Sequence, residues 1–261
     1  MTGSGVVNLV LLGNTGSGKS YICKALGCDF LAGRSPDGHG VTRQVQTGLV
    51  ELDGVNYKVI DTPGLVENDS IRMQENADEI VRVLQTGGAF KILVVVRDES
   101  GRDDSRVSYF AKKIHDAVPR NVKMALVVNK VAVSDIDRVT DETMAEICER
   151  YNRYGNVFDP RYVMKIKEAN LSPGRDDHTS QNARDSFRII KLDLTELLQK
   201  MDPVDINPKA VRTITTGAEG FNRETRMTRF VRRAKKPALR AALGLTMAVL
   251  YALAGEQIER M

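Results

Sequence analysis

Residues 13–20 read Gly13-Asn14-Thr15-Gly16-Ser17-Gly18-Lys19-Ser20, the spacing G-x-x-x-x-G-K-S. Glycines in this pattern let the backbone wrap a chain of phosphates, so that several N–H groups and a helix N-terminus point at the anion. Lys19 would reach the β- and γ-phosphates and Ser20 would ligate Mg²⁺. The flanks are what this chemistry requires. Val6–Leu12 is an apolar run that predicts a buried strand, and Ser20–Leu26 predicts the start of a helix. Residues 13–20, with Tyr21 after them, are therefore the candidate nucleotide-binding residues.

About forty residues on, Asp61-Thr62-Pro63-Gly64 follows the strand-like run Tyr57–Ile60. An acidic residue at a strand end beside a phosphate loop holds Mg²⁺, directly or through water, which makes Asp61 a metal candidate. Gly64 would let the backbone approach the γ-phosphate and report its loss. D-T-P-G, rather than a bare Asp, points to a GTPase over a kinase or ATPase. Between the two motifs, Gly33–Gly40 has the composition of a loop, and Thr42 after it is a second metal candidate through its hydroxyl. Thr47 competes for that role but sits inside a strand-like run.

These residues need a sheet to hold them. Strand-like runs alternate with helical periodicities, which predicts an α/β fold with a mostly parallel six-stranded sheet and helices on both faces. Residues 43–52 and 55–60 meet at Asp53-Gly54, a hairpin signal that adds one antiparallel strand. Further strands are expected at 90–96, 122–128 and 162–166, and helices at about 71–85, 103–117 and 182–201. On the last helix, Phe187, Ile190, Leu194, Leu197 and Leu198 share a face. Asp202-Pro203 and Asn207-Pro208 suggest that a nucleotide domain spanning 1–202 ends there. A helical, basic extension follows over 203–261.

Lys and Arg number 38 against 34 Asp and Glu, a net charge of +4. Between Lys209 and Arg240 lie ten Lys/Arg and two Glu, or +8, so the remainder is −4. An acidic nucleotide-binding body with a basic tail is the expectation. The tail carries an apolar helix expected over 237–255, whose uncharged core Ala241–Ala254 is shorter than the ~20 residues that span a bilayer. Basic flanks beside it suit an anionic membrane surface; packing on the domain or on a partner is the alternative. No recognition module accompanies the basic run, so nucleic acid is not an expected partner. The three cysteines, Cys23, Cys28 and Cys148, have no metal-type spacing and suggest reduced thiols in a cytoplasmic protein. No secretory signal is evident.

GNTGSGKS, a threonine in GVTRQ, DTPGL and a strand ending in Asn129-Lys130 together resemble the Ras-like P-loop GTPase domain. Within that class the closest resemblance is to the immunity-associated GTPases, the avirulence-induced-gene or GIMAP family, with chloroplast-import GTPases and septins more distant. It covers roughly residues 6–200 and includes Gly101-Arg102, similar to a Gly-Arg in that family's box between the third and fourth motifs. The resemblance implies GTP and GDP as ligands with Mg²⁺, and a homodimer through the nucleotide face. In such a dimer Arg102 would reach across to stabilise charge on the transferred phosphoryl group; a plain surface arginine is the alternative. It also implies that Asn129 and Lys130 meet the guanine; a later loop, Glu168-Ala169-Asn170-Leu171, could offer a backbone N–H to the guanine oxygen, which makes Ala169 a further candidate. Two departures stand out. Ala132 takes the place of the aspartate that usually reads guanine, which leaves another purine nucleotide open. Leu65 follows DTPG where small Ras-like GTPases carry a glutamine, so slow turnover, or binding without turnover, is expected unless another group orients water.

Overall fold

The computed structural model describes residues 5–30, 44–65, 70–97, 105–118, 122–131, 141–167, 181–212 and 214. Short apolar runs become strands: β1 Val7–Leu12, β2 Gln46–Leu52, β3 Val55–Asp61, β4 Gly88–Arg97, β5 Met124–Val131, β6 Phe158–Lys167 and β7 Val204–Ile206. Among the described residues five α-helices intervene: α1 Lys19–Leu26, α2 Ser70–Leu84, α3 Ser105–Ala117, α4 Asp141–Tyr151 and α5 Gln181–Lys200.

The main path of the sheet is β2-β3-β1-β4-β5-β6. β3, β1, β4, β5 and β6 pair in parallel, and β2 returns antiparallel on β3 through the Asp53-Gly54 hairpin. Both turn residues have positive φ, 47° and 75°, as a two-residue hairpin needs. This is the Ras-like arrangement. β1, β4 and β5 are buried on both faces, which is why they are nearly continuous Val/Leu/Ile. Leu9, Leu11, Val59 and Val95 pack on one face with Ile22 of α1 and Leu194 of α5. Alternate residues such as Val10, Leu12 and Val94 are equally buried and face the other side. On α5, Ile190, Leu194, Leu197 and Leu198 are buried and Phe187 is partly so, the face that periodicity suggests.

The domain does not stop at residue 202. Beyond the two Pro-flanked turns, β7 lies antiparallel on β4, with Gly88 opposite Ile206 and Phe90 opposite Val204. β4 begins before its neighbour β5 takes up pairing at Leu93, and β7 fills that edge. Val211 and Ile214 are buried as well. The Arg212 N–H donates to the Ala117 carbonyl at 3.0 Å, and Gln74 Nε2 donates to the Ile214 carbonyl at 2.8 Å. One compact unit accordingly spans Met1–Thr216 and a second Gly217–Met261. The expected apolar helix 237–255 lies outside the described residues. β5 also runs on through Asn129-Lys130 to Val131, which pairs with Lys167 after a register shift.

Inside the domain, Lys91 is buried with its ammonium donating to the Leu198 carbonyl at 2.6 Å and to the Tyr57 hydroxyl at 3.3 Å. It ties β4, β3 and the end of α5 together, and burial lowers its pKa.

Candidate nucleotide site

The site forms where parallel strands end and helices begin, the usual place for ligands in such sheets. β1 stops at Leu12, residues 13–18 turn, and α1 starts at Lys19. The turn is crowded. A Cβ on Gly13 would stand 2.2 Å from the Val95 carbonyl oxygen, and one on Gly18 would stand 2.1 Å from Asn129 Nδ2. Gly18 also has φ 98°, a left-handed conformation that glycine adopts freely.

β5 braces this loop from the side. Asn129 Nδ2 donates to the Ser17 carbonyl at 2.7 Å, while its Oδ1 accepts the Lys130 N–H at 2.8 Å. Lys130 Nζ donates to the Gly16 carbonyl at 2.8 Å. The two residues expected to meet a purine therefore also hold the phosphate loop in shape.

Lys19 is buried, and its ammonium donates to the carbonyls of Gly13 at 2.9 Å and Asn14 at 3.1 Å. It sits inside the curl of the loop, where a phosphate oxygen would compete with those carbonyls for its charge. Ser20 Oγ donates to Asp61 Oδ2 at 2.5 Å. A hydroxyl and a buried carboxylate in contact are hard oxygen donors of the kind Mg²⁺ takes, so the residues present fit that ion. Burial, with Asp61 adding to it, pushes the Cys23 thiol well up, so this neighbour of the site stays protonated and is no nucleophile.

The D-T-P-G turn is tied down at several points. Thr62 Oγ1 donates to the Leu11 carbonyl at 2.7 Å. The Leu65 N–H donates to the Gly13 carbonyl at 3.1 Å, and Asn76 Nδ2, from α2, donates to the Gly64 carbonyl at 2.8 Å. The Leu65 side chain is buried at 3% exposure and offers nothing to a water. Thr62, Asn76 and the Leu65 amide were not among the sequence candidates; only their place in or near DTPG hinted at them.

The structure thus gathers Gly13–Ser20, Asp61, Gly64, Asn129 and Lys130 around one loop. Tyr21 differs from the expectation in that its ring packs on Phe187 of α5, with centroids 5.0 Å apart, so its side chain belongs to the α1–α5 contact. Thr47 lies within β2 opposite Ile60. Thr42, Arg102 and Ala169, with Ala132, lie outside the described residues.

Residues 8–130 match the family model described as "50S ribosome-binding GTPase". Over these residues the chain is similar to GTPase domains of the TRAFAC class. Immune-associated nucleotide-binding protein 7 of Arabidopsis thaliana is 39% identical to this GTPase domain over 92 residues, covering 34% of this chain and 29% of the relative. Toc33 from Arabidopsis thaliana, solved in complex with GDP and Mg²⁺, shares the fold of the GTPase domain with a TM-score of 0.53 and 18% identity, over 77% of this chain and 87% of that one. A further structure, of chloroplast translocon components whose dimerisation is described as important for their GTPase activity, superposes with a TM-score of 0.53 at 17% identity, over 77% of this chain and 86% of that one. The chain spans less than a third of the length of the curated relatives it matches.

Proposed function

We propose that the protein binds GTP and hydrolyses it to GDP with Mg²⁺, slowly when alone and faster as a dimer, and serves as a nucleotide-controlled switch or assembly module. The observation that carries this reading is the contact of Ser20 Oγ with Asp61 Oδ2 at 2.5 Å, beside an ammonium already inside the phosphate loop. Ser20 and Asp61, with Thr42, would hold Mg²⁺, which would supply positive charge against the phosphates. Lys19 gives up the Gly13 and Asn14 carbonyls for those same oxygens. Gly64 brings its backbone toward the γ-phosphate. Asn129, Lys130 and the Ala169 loop face the base, and the loop residues 13–18 with the start of α1 cradle the phosphates. Arg102, donated by a second copy through the nucleotide face, stabilises charge in the transition state. The reported importance of dimerisation for the GTPase activity of the chloroplast translocon components supports that part of the reading. The basic C-terminal extension gives a cytoplasmic protein its contact with an anionic membrane surface.

A second reading is a binding module with little turnover, or one that accepts other purine nucleotides. Buried Leu65 favours the first and Ala132 the second. The test is to identify the nucleotide released from purified protein, then to follow phosphate release from GTP and ATP across a range of protein concentrations. Bound guanine nucleotide and a specific activity that rises with concentration support the main reading. Concentration-independent traces of turnover favour the module, and equal rates with ATP favour the purine hydrolase.

A further inference from the structure

We propose that β2 is a contact strand for a second copy of this chain, pairing antiparallel with the partner's β2 about a two-fold axis at Leu49. β2 ends the sheet, and among the described residues it pairs only with β3. The two-residue turn makes Leu52 and Val55 a hydrogen-bonded pair, so the alternation of the ladder directs the backbone groups of residues 52, 50 and 48 toward β3. Those of Thr47, Leu49 and Glu51 point outward, and no backbone partner for them occurs among the described residues. The same three side chains are exposed, Leu49 at 76%.

The strand is lightly protected as an edge, with Glu51 its one charged residue. Gln46–Leu52 contains no proline, no lysine and no bulge. The opposite edge, β6, has Pro160 and Arg161 exposed, Lys165 and Lys167 along it, and register shifts against β5. Among the described residues, β6 is the more strongly guarded of the two edges.

The pattern on β2 is complementary to itself. With the axis at Leu49, Leu49 meets its own copy, and Thr47 meets Glu51 on either side, a hydroxyl against a carboxylate. Each of these is a pair whose backbone groups both point outward, so each exchanges both its hydrogen bonds. Moving the register by one residue on each strand places Glu51 against Leu49 and loses the apolar pair. The sequence thus selects one register for a second copy, which a strand from an unrelated protein would not require.

Sedimentation of the full-length, nucleotide-stripped protein tests this. The wild type should show a monomer–dimer equilibrium, and Leu49→Lys should raise its dissociation constant by about tenfold or more, since two like charges would then face each other. Leu49 is exposed, so circular dichroism should show the variant folded. Independently, Thr47→Cys with Glu51→Cys should form a disulfide-linked dimer under mild oxidation, whereas each single variant should not. Opposed residues in such a pair have Cα atoms about 5.5 Å apart, within disulfide range. A wild type that stays monomeric when stripped of nucleotide and gives no cross-link in the double variant overturns the proposal. So does a dimer insensitive to Leu49→Lys that fails to cross-link, which would place the contact elsewhere.

Discussion

Asn76 Nδ2 donates to the carbonyl oxygen of Gly64 at 2.8 Å, so α2 grips the glycine that would sense a γ-phosphate. A side chain-to-backbone hydrogen bond of this kind contributes about 1 kcal/mol. Asn76→Ala should free the turn and shift the ratio of GTP-analogue to GDP affinity about fivefold toward the analogue. Competition with a fluorescent GDP measures it. An unchanged ratio would mean that Gly64 keeps one position in both nucleotide states.

Lys19→Ala and Ser20→Asn should each weaken nucleotide binding by about tenfold or more, because one removes the charge facing the phosphates and the other the metal-ligating hydroxyl. Isothermal titration with GDP and Mg²⁺ reads both. Wild-type affinity in the two variants would reject the phosphate-loop assignment.

Asp61→Ala separates metal from nucleotide. Its partner in the structure is Ser20 Oγ, the other oxygen proposed for Mg²⁺. Affinity in the presence of Mg²⁺ should fall well below the wild-type value, while affinity in EDTA should change little. Equal losses under both conditions would count against a metal role for Asp61.

Gly18→Ala is the steric test of the loop. Its new Cβ would stand 2.1 Å from Asn129 Nδ2 on a backbone with φ 98°. Asn129 must then release the Ser17 carbonyl, and the loop loses its brace. The expected outcome is a melting midpoint lowered by several degrees, on the order of 1–3 kcal/mol, with weaker nucleotide binding. Asn129→Ala should lose affinity in the same direction with a smaller drop in melting midpoint, since it adds no clash.

Arg102→Ala probes the dimer reading. Specific GTPase activity should rise with protein concentration in the wild type and stay flat in the variant, with nucleotide affinity nearly unchanged. An arginine that acts only in the transition state leaves ground-state binding alone, and its loss lowers the stimulated rate by about 10³-fold. A variant that keeps its stimulated turnover would return Arg102 to the surface.

The site was legible where its chemistry is local. GNTGSGKS and DTPG name their own roles because a phosphate loop is one continuous turn, and Asp53-Gly54 announces its hairpin for the same reason. What escaped is what packing decides. β7 has three residues between two proline turns, too few for any periodicity, and it forms because the start of β4 has an open edge. Asn76 reads as one polar residue on a helix until α2 is seen beside Gly64. Lys91 looks like an interruption in an apolar strand, yet its ammonium closes on the last turn of α5. Tyr21 sits next to the motif in sequence, but α5 claims its ring.

The stitching of residues 204–214 to β4, α2 and α3 sets where this protein can be cut. A version ending at residue 202 would strip β4 of its partner at Gly88–Phe90, leave the Ala117 carbonyl without the Arg212 N–H, and expose apolar surface that Val211 and Ile214 cover. Aggregation is the expected fate of such a fragment. Ending at Thr216 retains every one of these contacts, which makes it the boundary for crystallisation and for measuring the GTPase domain apart from its basic extension.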